Sequence, residues 1–179
     1  MGAPVSELRY VSWAEVDGIC RRLARRLRSF ELDLVVGIAR GGLPAAVHLA
    51  HLLDAPYFGT VHATKTTSNA AFAIAPGDGV EVHGAMLPAV AARRALLVED
   101  IVTFGDVFQR VTPLVRERYG GGAAALEVVH ATLFADLEQI AAGPNPGLIE
   151  SLFYGEAIDN RAIWIVPPWD EKALEPAPA

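Results

Sequence analysis

The sequence contains little of what marks several large classes of protein. It has one cysteine among 179 residues, Cys20, which excludes an internal disulfide and a cysteine-rich zinc site and suits a reducing compartment. No apolar run approaches the length of about 18 residues that suggests a membrane-spanning helix. The beginning of the chain, MGAPVSELRY, also lacks the basic and then apolar order of a secretory signal. We therefore expect a cytoplasmic protein with no membrane partner.

Basic residues are scarce as well. The chain has 15 lysines and arginines against 21 acidic residues, which gives a formal net charge of −6. Binding along a nucleic acid requires a basic surface that neutralises many phosphates, so we expect no nucleic-acid partner. A small molecule that carries phosphate is still compatible with this charge, because backbone N–H groups and a metal ion can hold it.

Hydrophobic residues, in contrast, make up 52% of the chain, which is enough for one sizeable core, and the length predicts a single domain over 1–179. Continuous apolar runs bounded by turn residues predict buried parallel strands, and segments of helical periodicity alternate with them. The predicted fold class is therefore α/β, an open, mostly parallel sheet flanked by helices. The predicted strands are 33–39, 57–63, 94–100, 126–134 and 162–166, and the predicted helices begin at Ser12, near Pro44 and at about Gly105.

The first helix carries a recognisable start signal. Ser12 and Glu15 form a capping box, and apolar residues then recur at helical spacing. Cys20 lies among them and is expected to pack as a small hydrophobe. The arginines between positions 21 and 28 lie mostly on the opposite face, which predicts a solvated surface.

Two segments lack a clear pattern. Residues 64–87 are rich in Ser, Thr, Asn, Gly and Pro and predict either a hairpin with loose ends or an active-site lid. The tail 171–179, which ends in EPAPA, is predicted to be disordered.

Two loops are the candidate site. Residues 39–42 follow one predicted strand, residues 99–107 follow another, and ligands of such sheets bind at the carboxyl ends of the strands. Each loop leads into a helix amino terminus, which favours an anion. Glu99 and Asp100 could hold sugar hydroxyls or Mg²⁺ there. Such an acidic pair alone is more often a helix cap, and it is the combination of the two loops that favours a site.

The motifs resemble those of one family. ALLVEDIVTFGDVF (95–108) resembles the sugar-phosphate signature of type I phosphoribosyltransferases, which bind 5-phosphoribosyl 1-pyrophosphate (PRPP). VVGIARGGLPAAVHLA (35–50) is similar to the pyrophosphate loop of the 6-oxopurine branch. WIVPPWD (164–170) resembles the base-binding end of xanthine-guanine phosphoribosyltransferases, and SWAEVDGICRRLARRL (12–27) also matches that branch. These motifs occur in the family's order and cover most of the chain.

The resemblance implies a role for each matching position. The implied catalytic residues are Glu99 and Asp100, which would hold the ribose hydroxyls directly or through Mg²⁺, and Thr103. Residues 135–170 would form a base-binding hood, and 64–87 would close as a lid. The other implied site residues are Arg40, Gly41 and Gly42 for pyrophosphate; Thr103, Phe104, Gly105, Asp106 and Val107 for the 5′-phosphate; Lys65 and Thr66 in the lid; and Asp136, Trp164, Ile165 and Asp170 for the base. Family members commonly form homodimers or homotetramers, which is the expected assembly here.

For Trp164 the residues also allow another interpretation, that of a half-exposed strand tryptophan packing against the core.

The sequence departs from the family pattern in the phosphate loop. The 6-oxopurine branch usually has Asp-Thr-Gly-x-Thr where this chain has Thr-Phe-Gly-Asp-Val at 103–107. Thr103 can hydrogen-bond but cannot take a proton as the family's aspartate is thought to do. Phe104 and Val107 remove two hydroxyls, and Asp106 adds negative charge beside a dianion. Ordinary PRPP binding is therefore in question.

A second departure concerns the base. The family's lysine that donates to the purine 6-oxygen is replaced at the matching position by Asp136, since the only lysines of the chain are Lys65 and Lys172. Asp136 then either accepts from an amino group on the base or points to solvent while another group reads the base.

Three functions follow from these observations. The first is a magnesium-dependent transferase that joins a nucleobase, a purine or an analogue, to a ribose phosphate and releases pyrophosphate. The second is a regulatory protein on the same fold that senses a nucleotide or PRPP and performs no chemistry. The third is a transferase with an unusual sugar donor or acceptor.

Overall fold

The computed structural model describes residues 7–65, 79–120 and 125–170. Strands and helices alternate along this part of the chain, as the sequence predicted. The elements are β1 (Glu7–Tyr10), α1 (Trp13–Leu27), a 3₁₀ turn (Arg28–Phe30), β2 (Leu34–Ala39), α2 (Leu43–Leu52), β3 (Tyr57–Thr64), β4 (Glu81–Met86), β5 (Arg94–Val102), α3 (Asp106–Tyr119), β6 (Glu127–Ala135), α4 (Leu137–Ala142), α5 (Leu148–Ser151), β7 (Leu152–Ala157) and β8 (Ile163–Val166).

Six of these strands form one sheet in the order β4-β3-β2-β5-β6-β7. Neighbouring strands are parallel except for β3 and β4, which pair antiparallel. β1 and β8 form a separate parallel pair. The prediction of an open, mostly parallel sheet flanked by helices is therefore confirmed.

Helices cover both faces of the six-stranded sheet. On one face, α1 and α2 pack on alternate residues of the strands, and Leu23, Leu27 and Leu49 are fully buried there. On the other face, α3, α4 and α5 bury Phe108, Ile140 and a second set of strand residues. Strands covered on both sides must be apolar at successive positions, which is why 34–39 and 95–98 are continuous apolar runs. Each such large side chain contributes about 1.5–3 kcal/mol on burial.

The predicted start of α1 is confirmed in detail. The Ser12 hydroxyl accepts from the backbone N–H of Glu15, and the Glu15 carboxylate accepts from the backbone N–H of Ser12. Cys20 is fully buried, and desolvation raises the pKa of its thiol to about 12. It therefore packs as a hydrophobe and does not act as a thiolate.

The unpatterned segment is partly a hairpin. β4 pairs antiparallel with β3, and the register shifts between His62 and Ala63. The middle of the predicted lid, 66–78, and the tail 171–179 lie outside the described residues.

The short strands β1 and β7 were not predicted from the sequence, and the predicted strand at 162–166 pairs with β1 outside the main sheet. Within the described ranges, no helix is both long and apolar enough to cross a bilayer.

Candidate active site

The carboxyl ends of β2 and β5 lie side by side at the centre of the sheet. Gly37 pairs with Val98 in parallel register, so the loops that follow both strands emerge at the same edge. From β2 the chain passes to β3 on one side, while β5, β6 and β7 lie on the other. This is the point where the strand order reverses, and ligands of open α/β sheets bind at such points.

Two glycines allow the loops to come into contact. A methyl group at Gly41 would overlap the carboxylate of Asp100, and one at Gly42 would overlap the carbonyl oxygen of Val98 and lie 2.9 Å from that of Ile38. Gly41 is therefore required by a side chain of the site, and Gly42 by the backbone of the sheet. Next to them, Arg40 is exposed to solvent.

The acidic pair is held in a fixed arrangement at the end of β5. The backbone N–H of Asp100 donates to Oε1 of Glu99 (3.1 Å), and that of Ile101 donates to Oδ1 of Asp100 (2.9 Å). On the neighbouring strand, the buried hydroxyl of Thr132 donates to the backbone carbonyl of Asp100 (2.9 Å). Sequence reasoning did not single out Thr132, because a buried strand threonine gives no local signal of this contact.

Burial makes the acidic pair unfavourable as two anions. Desolvation, together with the adjacent Asp100, raises the pKa of Glu99 well above its usual range. Desolvation also raises the pKa of Asp100, and the negative charge of Asp170 adds to it. Asp170 itself is exposed and follows the last strand. A cation or hydroxyl donors placed at this edge would relieve that cost.

The donor set fits Mg²⁺ bound jointly with a substrate. Carboxylate oxygens are the ligands that Mg²⁺ prefers, and it usually takes only one or two of them together with water and substrate phosphates. In the part of the chain that the structure describes, no cluster of three or more ligating side chains could hold a metal by itself. Glu99 and Asp100 thus suit an ion that arrives with phosphate oxygens.

The loop 103–105 leads into the amino terminus of α3. Gly105, the N-cap residue, has φ = 77°, a left-handed conformation that glycine adopts without strain, and it has no side chain with which to cap the helix. A cavity of about 160 Å³ lies against this loop. It is lined by Ala63, Lys65, Glu99, Ile101, Val102, Thr103, Gly105, Asp106, Val107 and Phe108.

Lys65 reaches into this cavity from the end of β3. Its Nζ lies 2.5 Å from Oδ2 of Asp106 and 4.1 Å from the centre of the Phe104 ring. The sequence predicted that Lys65 lies at the base of a lid, and in the structure its ammonium lies against Phe104 and Asp106. Its lid neighbour Thr66 lies outside the described residues.

Residues 12–142 match the family described as the phosphoribosyl transferase domain. The chain belongs to this family.

Two curated relatives of the chain have different functions. The chain is 33% identical to an orotate phosphoribosyltransferase of Pyrobaculum calidifontis over 129 residues. The matched segment covers 72% of this chain and 55% of that protein. It is also 28% identical to the transcriptional regulator GfcR of Methanosarcina mazei over 117 residues. That segment covers 65% of this chain and 53% of the regulator. The chain therefore spans about half the length of these relatives.

The fold of the phosphoribosyltransferase domain is also found in a solved structure. A purine phosphoribosyltransferase from Pyrococcus horikoshii superposes with a TM-score of 0.67 at 24% identity, over 93% of this chain and 96% of that one. At this identity the likeness establishes the fold and leaves the substrate open.

In this phosphoribosyltransferase domain, Asp136 is a structural cap. It is 1% exposed, so the interpretation that it points to solvent is wrong. Its carboxylate accepts from the backbone N–H of Gln139 (3.0 Å), from the Gln139 side-chain amide (2.7 Å) and from the backbone N–H of Asn160 (2.9 Å). These bonds begin α4 and do not favour reading a base edge. An Asp directly before a helical segment is the sequence signal for such a cap.

Asn160 is a site residue that the sequence did not suggest. Its side-chain amide donates to Oγ1 of Thr103 (3.0 Å), while its backbone is held by Asp136. The buried cap thus fixes the hydroxyl at the first position of the phosphate loop.

The residues predicted to bind the base differ in their exposure. Ile165 is 2% exposed and packs in the hydrophobic core, and its part in base binding stays a prediction. Trp164 is partly exposed and pairs with Leu8 in the β1–β8 ribbon. Trp169 contacts Trp13, with ring centres 5.5 Å apart. The direction of Trp164 relative to a bound base stays a prediction.

Proposed function

We propose that this chain is a phosphoribosyltransferase that transfers ribose phosphate from PRPP to a nucleobase, a purine or an analogue, and releases pyrophosphate. The observation that carries the proposal is the desolvated pair Glu99 and Asp100, held against Gly41 at the carboxyl end of β5. Desolvation makes it costly to keep two carboxylates side by side. In a member of this family, the hydroxyls of a ribose ring and a cation are suitable partners that would offset this cost.

Each loop would bind one part of the donor. Glu99 and Asp100 accept from the ribose hydroxyls, and 103–107 hold the 5′-phosphate at the amino terminus of α3. Arg40 and the backbone of Gly41 and Gly42 bind the pyrophosphate. These contacts hold C1 of the ribose in a fixed position for attack by the base nitrogen.

Mg²⁺ is the proposed cofactor, held by Glu99 and Asp100 together with oxygens of the donor. When bound, it supplies positive charge that stabilises the leaving pyrophosphate. The base would stack on Trp164, with Asp170 at the edge of its pocket. Thr103 has no proton-accepting group of suitable pKa, so in this proposal its hydroxyl positions the ligand and does not act as a general base.

A direct assay tests the proposal. Pure protein is incubated with Mg²⁺, PRPP and a panel of bases, and pyrophosphate and nucleotide are measured by mass spectrometry. We expect both products with at least one base, and loss of both in Glu99→Gln/Asp100→Asn. Equal turnover in the double variant would contradict the role of the acidic pair. Glu127→Gln, at the opposite end of β6, is a control that leaves the site untouched.

A regulatory function is the second candidate. The likeness to the transcriptional regulator GfcR and the altered residues of the phosphate loop favour it. A regulator of this kind would bind PRPP or a nucleotide in the same cavity and release no pyrophosphate with any base. Calorimetry run beside the transfer assay separates the two, since binding without turnover supports regulation. A third candidate, a transferase with an unusual donor or acceptor, predicts turnover only after those substrates are varied.

A further inference from the structure

We propose that Lys65 supplies the cation that binds the phosphate of the ligand, and that Asp106 is a counterion which the phosphate displaces. The inference rests on the proposed function in one respect, that the cavity beside α3 holds the phosphate end of the ligand. It concerns Lys65 and Asp106, which line this cavity, and Phe104, whose ring contacts the Lys65 ammonium.

The ammonium of Lys65 lies inside the cavity. The side chain is 11% exposed, and that of its partner Asp106 is 16% exposed. Nζ is paired with Oδ2 of Asp106, and among the described residues it makes no hydrogen bond to any other acceptor. An ammonium carries three donors, so a largely buried one with a single anionic neighbour leaves donors without acceptors, which is costly. Phosphate oxygens would provide the acceptors that the protein does not.

Phe104 is part of the same arrangement. Its ring lies under the ammonium at 4.1 Å, within the range of a cation–π contact, and the residue is 5% exposed. The ring therefore attracts the ammonium to the loop without competing for its hydrogen-bond donors. A threonine at this position could not do so. The hydroxyl that is missing at position 104 is thus replaced by a charged donor, the ammonium of Lys65 at the end of β3.

Asp106 neutralises Lys65 while the cavity is without an anion. Its other oxygen, Oδ1, accepts from the backbone N–H of Val107 (3.1 Å), which keeps the carboxylate at the first turn of α3. A phosphate that enters competes with this carboxylate for both the ammonium and the helix N–H groups. Binding is therefore an exchange of one anion for another, and affinity is set by the difference between them.

The test is equilibrium binding of ribose 5-phosphate, with inorganic phosphate as a second probe, by calorimetry at fixed ionic strength. We expect Lys65→Gln to weaken binding by about 10- to 100-fold, the value of a hydrogen bond to a charged group. Lys65→Arg should retain most of the affinity, because the positive charge is kept. Asp106→Asn should tighten binding by about tenfold or more. Glu127→Gln changes the net charge as Asp106→Asn does, far from the cavity, and should have no effect.

The double variant Lys65→Gln/Asp106→Asn separates exchange from simple repulsion. If Asp106 acts by competing for Lys65, most of the gain from Asp106→Asn disappears once Lys65 is replaced. An equal gain with and without Lys65 would overturn the exchange. Binding by Lys65→Gln that is as tight as or tighter than that of the unaltered protein would show instead that Lys65 fills the cavity, and would overturn the proposal. Thermal unfolding of every variant confirms that it is folded.

Failure of this inference and failure of the proposed function give different results. Ribose 5-phosphate has no pyrophosphate to lose, so its binding does not depend on turnover. Binding that requires Lys65, without nucleotide formation from PRPP, would support the inference and argue against the enzyme. Nucleotide formation from PRPP, together with ribose 5-phosphate binding that is unchanged in Lys65→Gln, would support the enzyme and argue against the inference.

Discussion

The two glycines after β2 allow the fold and the site to be perturbed separately by one methyl group. At Gly41 the three atoms nearest the added carbon all belong to the carboxylate of Asp100, which is the end of a side chain and can rotate away. At Gly42 it meets carbonyl oxygens of two strands, which cannot. Gly84 on β4 has nothing within 4 Å of its added carbon and serves as the control. Gly42 already has helical backbone angles, so contact alone decides the effect there.

The expected sizes follow from these contacts. Moving the Asp100 carboxylate off its rotamer costs about 0.5–1.5 kcal/mol, and replacing glycine by alanine returns about 0.4–1 kcal/mol from the unfolded chain. Gly41→Ala should therefore change the free energy of unfolding by less than about 1 kcal/mol. Gly42→Ala forces backbone to move and should cost about 3 kcal/mol. In a chain of this length that lowers Tm by about 6–12 °C.

PRPP binding, unlike stability, should be affected by Gly41→Ala. Gly41→Ala moves the Asp100 carboxylate away from the position proposed for ribose binding, which should weaken PRPP binding about tenfold or more. The measurements are thermal unfolding and calorimetric titration with PRPP and Mg²⁺. Gly84→Ala should leave PRPP binding unchanged and raise the free energy of unfolding by no more than about 0.4–1 kcal/mol. The reasoning would be refuted if Gly42→Ala were as stable as Gly41→Ala, or if Gly41→Ala bound PRPP like the unaltered protein.

Three further predictions concern buried polar groups. Desolvation, with Arg116 nearby, lowers the pKa of His130 to about 4, so the folded state resists protonation of this imidazole. The free energy of unfolding should therefore fall by about 3 kcal/mol as pH drops from 6.5 through 4. In denaturant unfolding, His130→Gln should lack this part of the fall. Because the folded state raises the pKa of Glu99 and Asp100, their ionisation costs stability as pH rises, and the double amide variant should melt higher at pH 7 while losing PRPP binding. Asp136→Ala should cost about 2 kcal/mol by denaturant unfolding and leave base preference unchanged.

Each of these has a clear contrary result. An equal pH dependence with and without the imidazole would mean that folding does not lower the pKa of His130. A double amide variant that melts lower at pH 7 would show that the acidic pair stabilises the sheet edge. A shift of base preference in Asp136→Ala would restore the edge-reading role that the geometry does not favour.

The strands that could be predicted from the sequence are those with an apolar environment on both faces of the sheet. β2 and residues 95–98 of β5 are covered on both faces, so every position there is apolar and the run is visible without knowing its neighbours. The loops at their ends could be placed beside one another for the same reason, since parallel strands all end at one edge. The Ser12–Glu15 cap was equally visible, because both of its partners lie within one turn.

The edge strands could not be predicted in this way. β1 has only four residues and is largely exposed, so it has no apolar run, and the alternation in ELRY is too short to identify a strand. β7 contains Gly155, at which a side chain would overlap Ile19 of α1. A glycine in a predicted strand normally weakens the prediction, and here it marks the close approach of a helix from the beginning of the chain.

Asp136 shows why residue type alone did not decide a role. Its position after a strand matched that of a base-reading lysine in the family, and a carboxylate there suggested an acceptor for an amino group. The three N–H groups that satisfy it include one from Asn160, which lies well beyond α4 in the sequence. Whether a polar residue at a strand end faces a ligand or caps a helix depends on such distant donors, which the pattern around it does not contain.

The phosphate loop is the strongest case of this dependence on distant residues. Considered alone, Phe104 and Asp106 subtract a hydroxyl and add a negative charge, and the loop looks impaired. Lys65 reaches both from β3, a strand that is separated from β5 by β2. With Lys65 included, the charge of Asp106 is balanced and the Phe104 ring has a cation to contact, so the two departures belong to one arrangement. A substitution in a binding loop therefore weakens the ligand only if no other element supplies the lost charge or donor, and that is decided by the packing of strands around the loop.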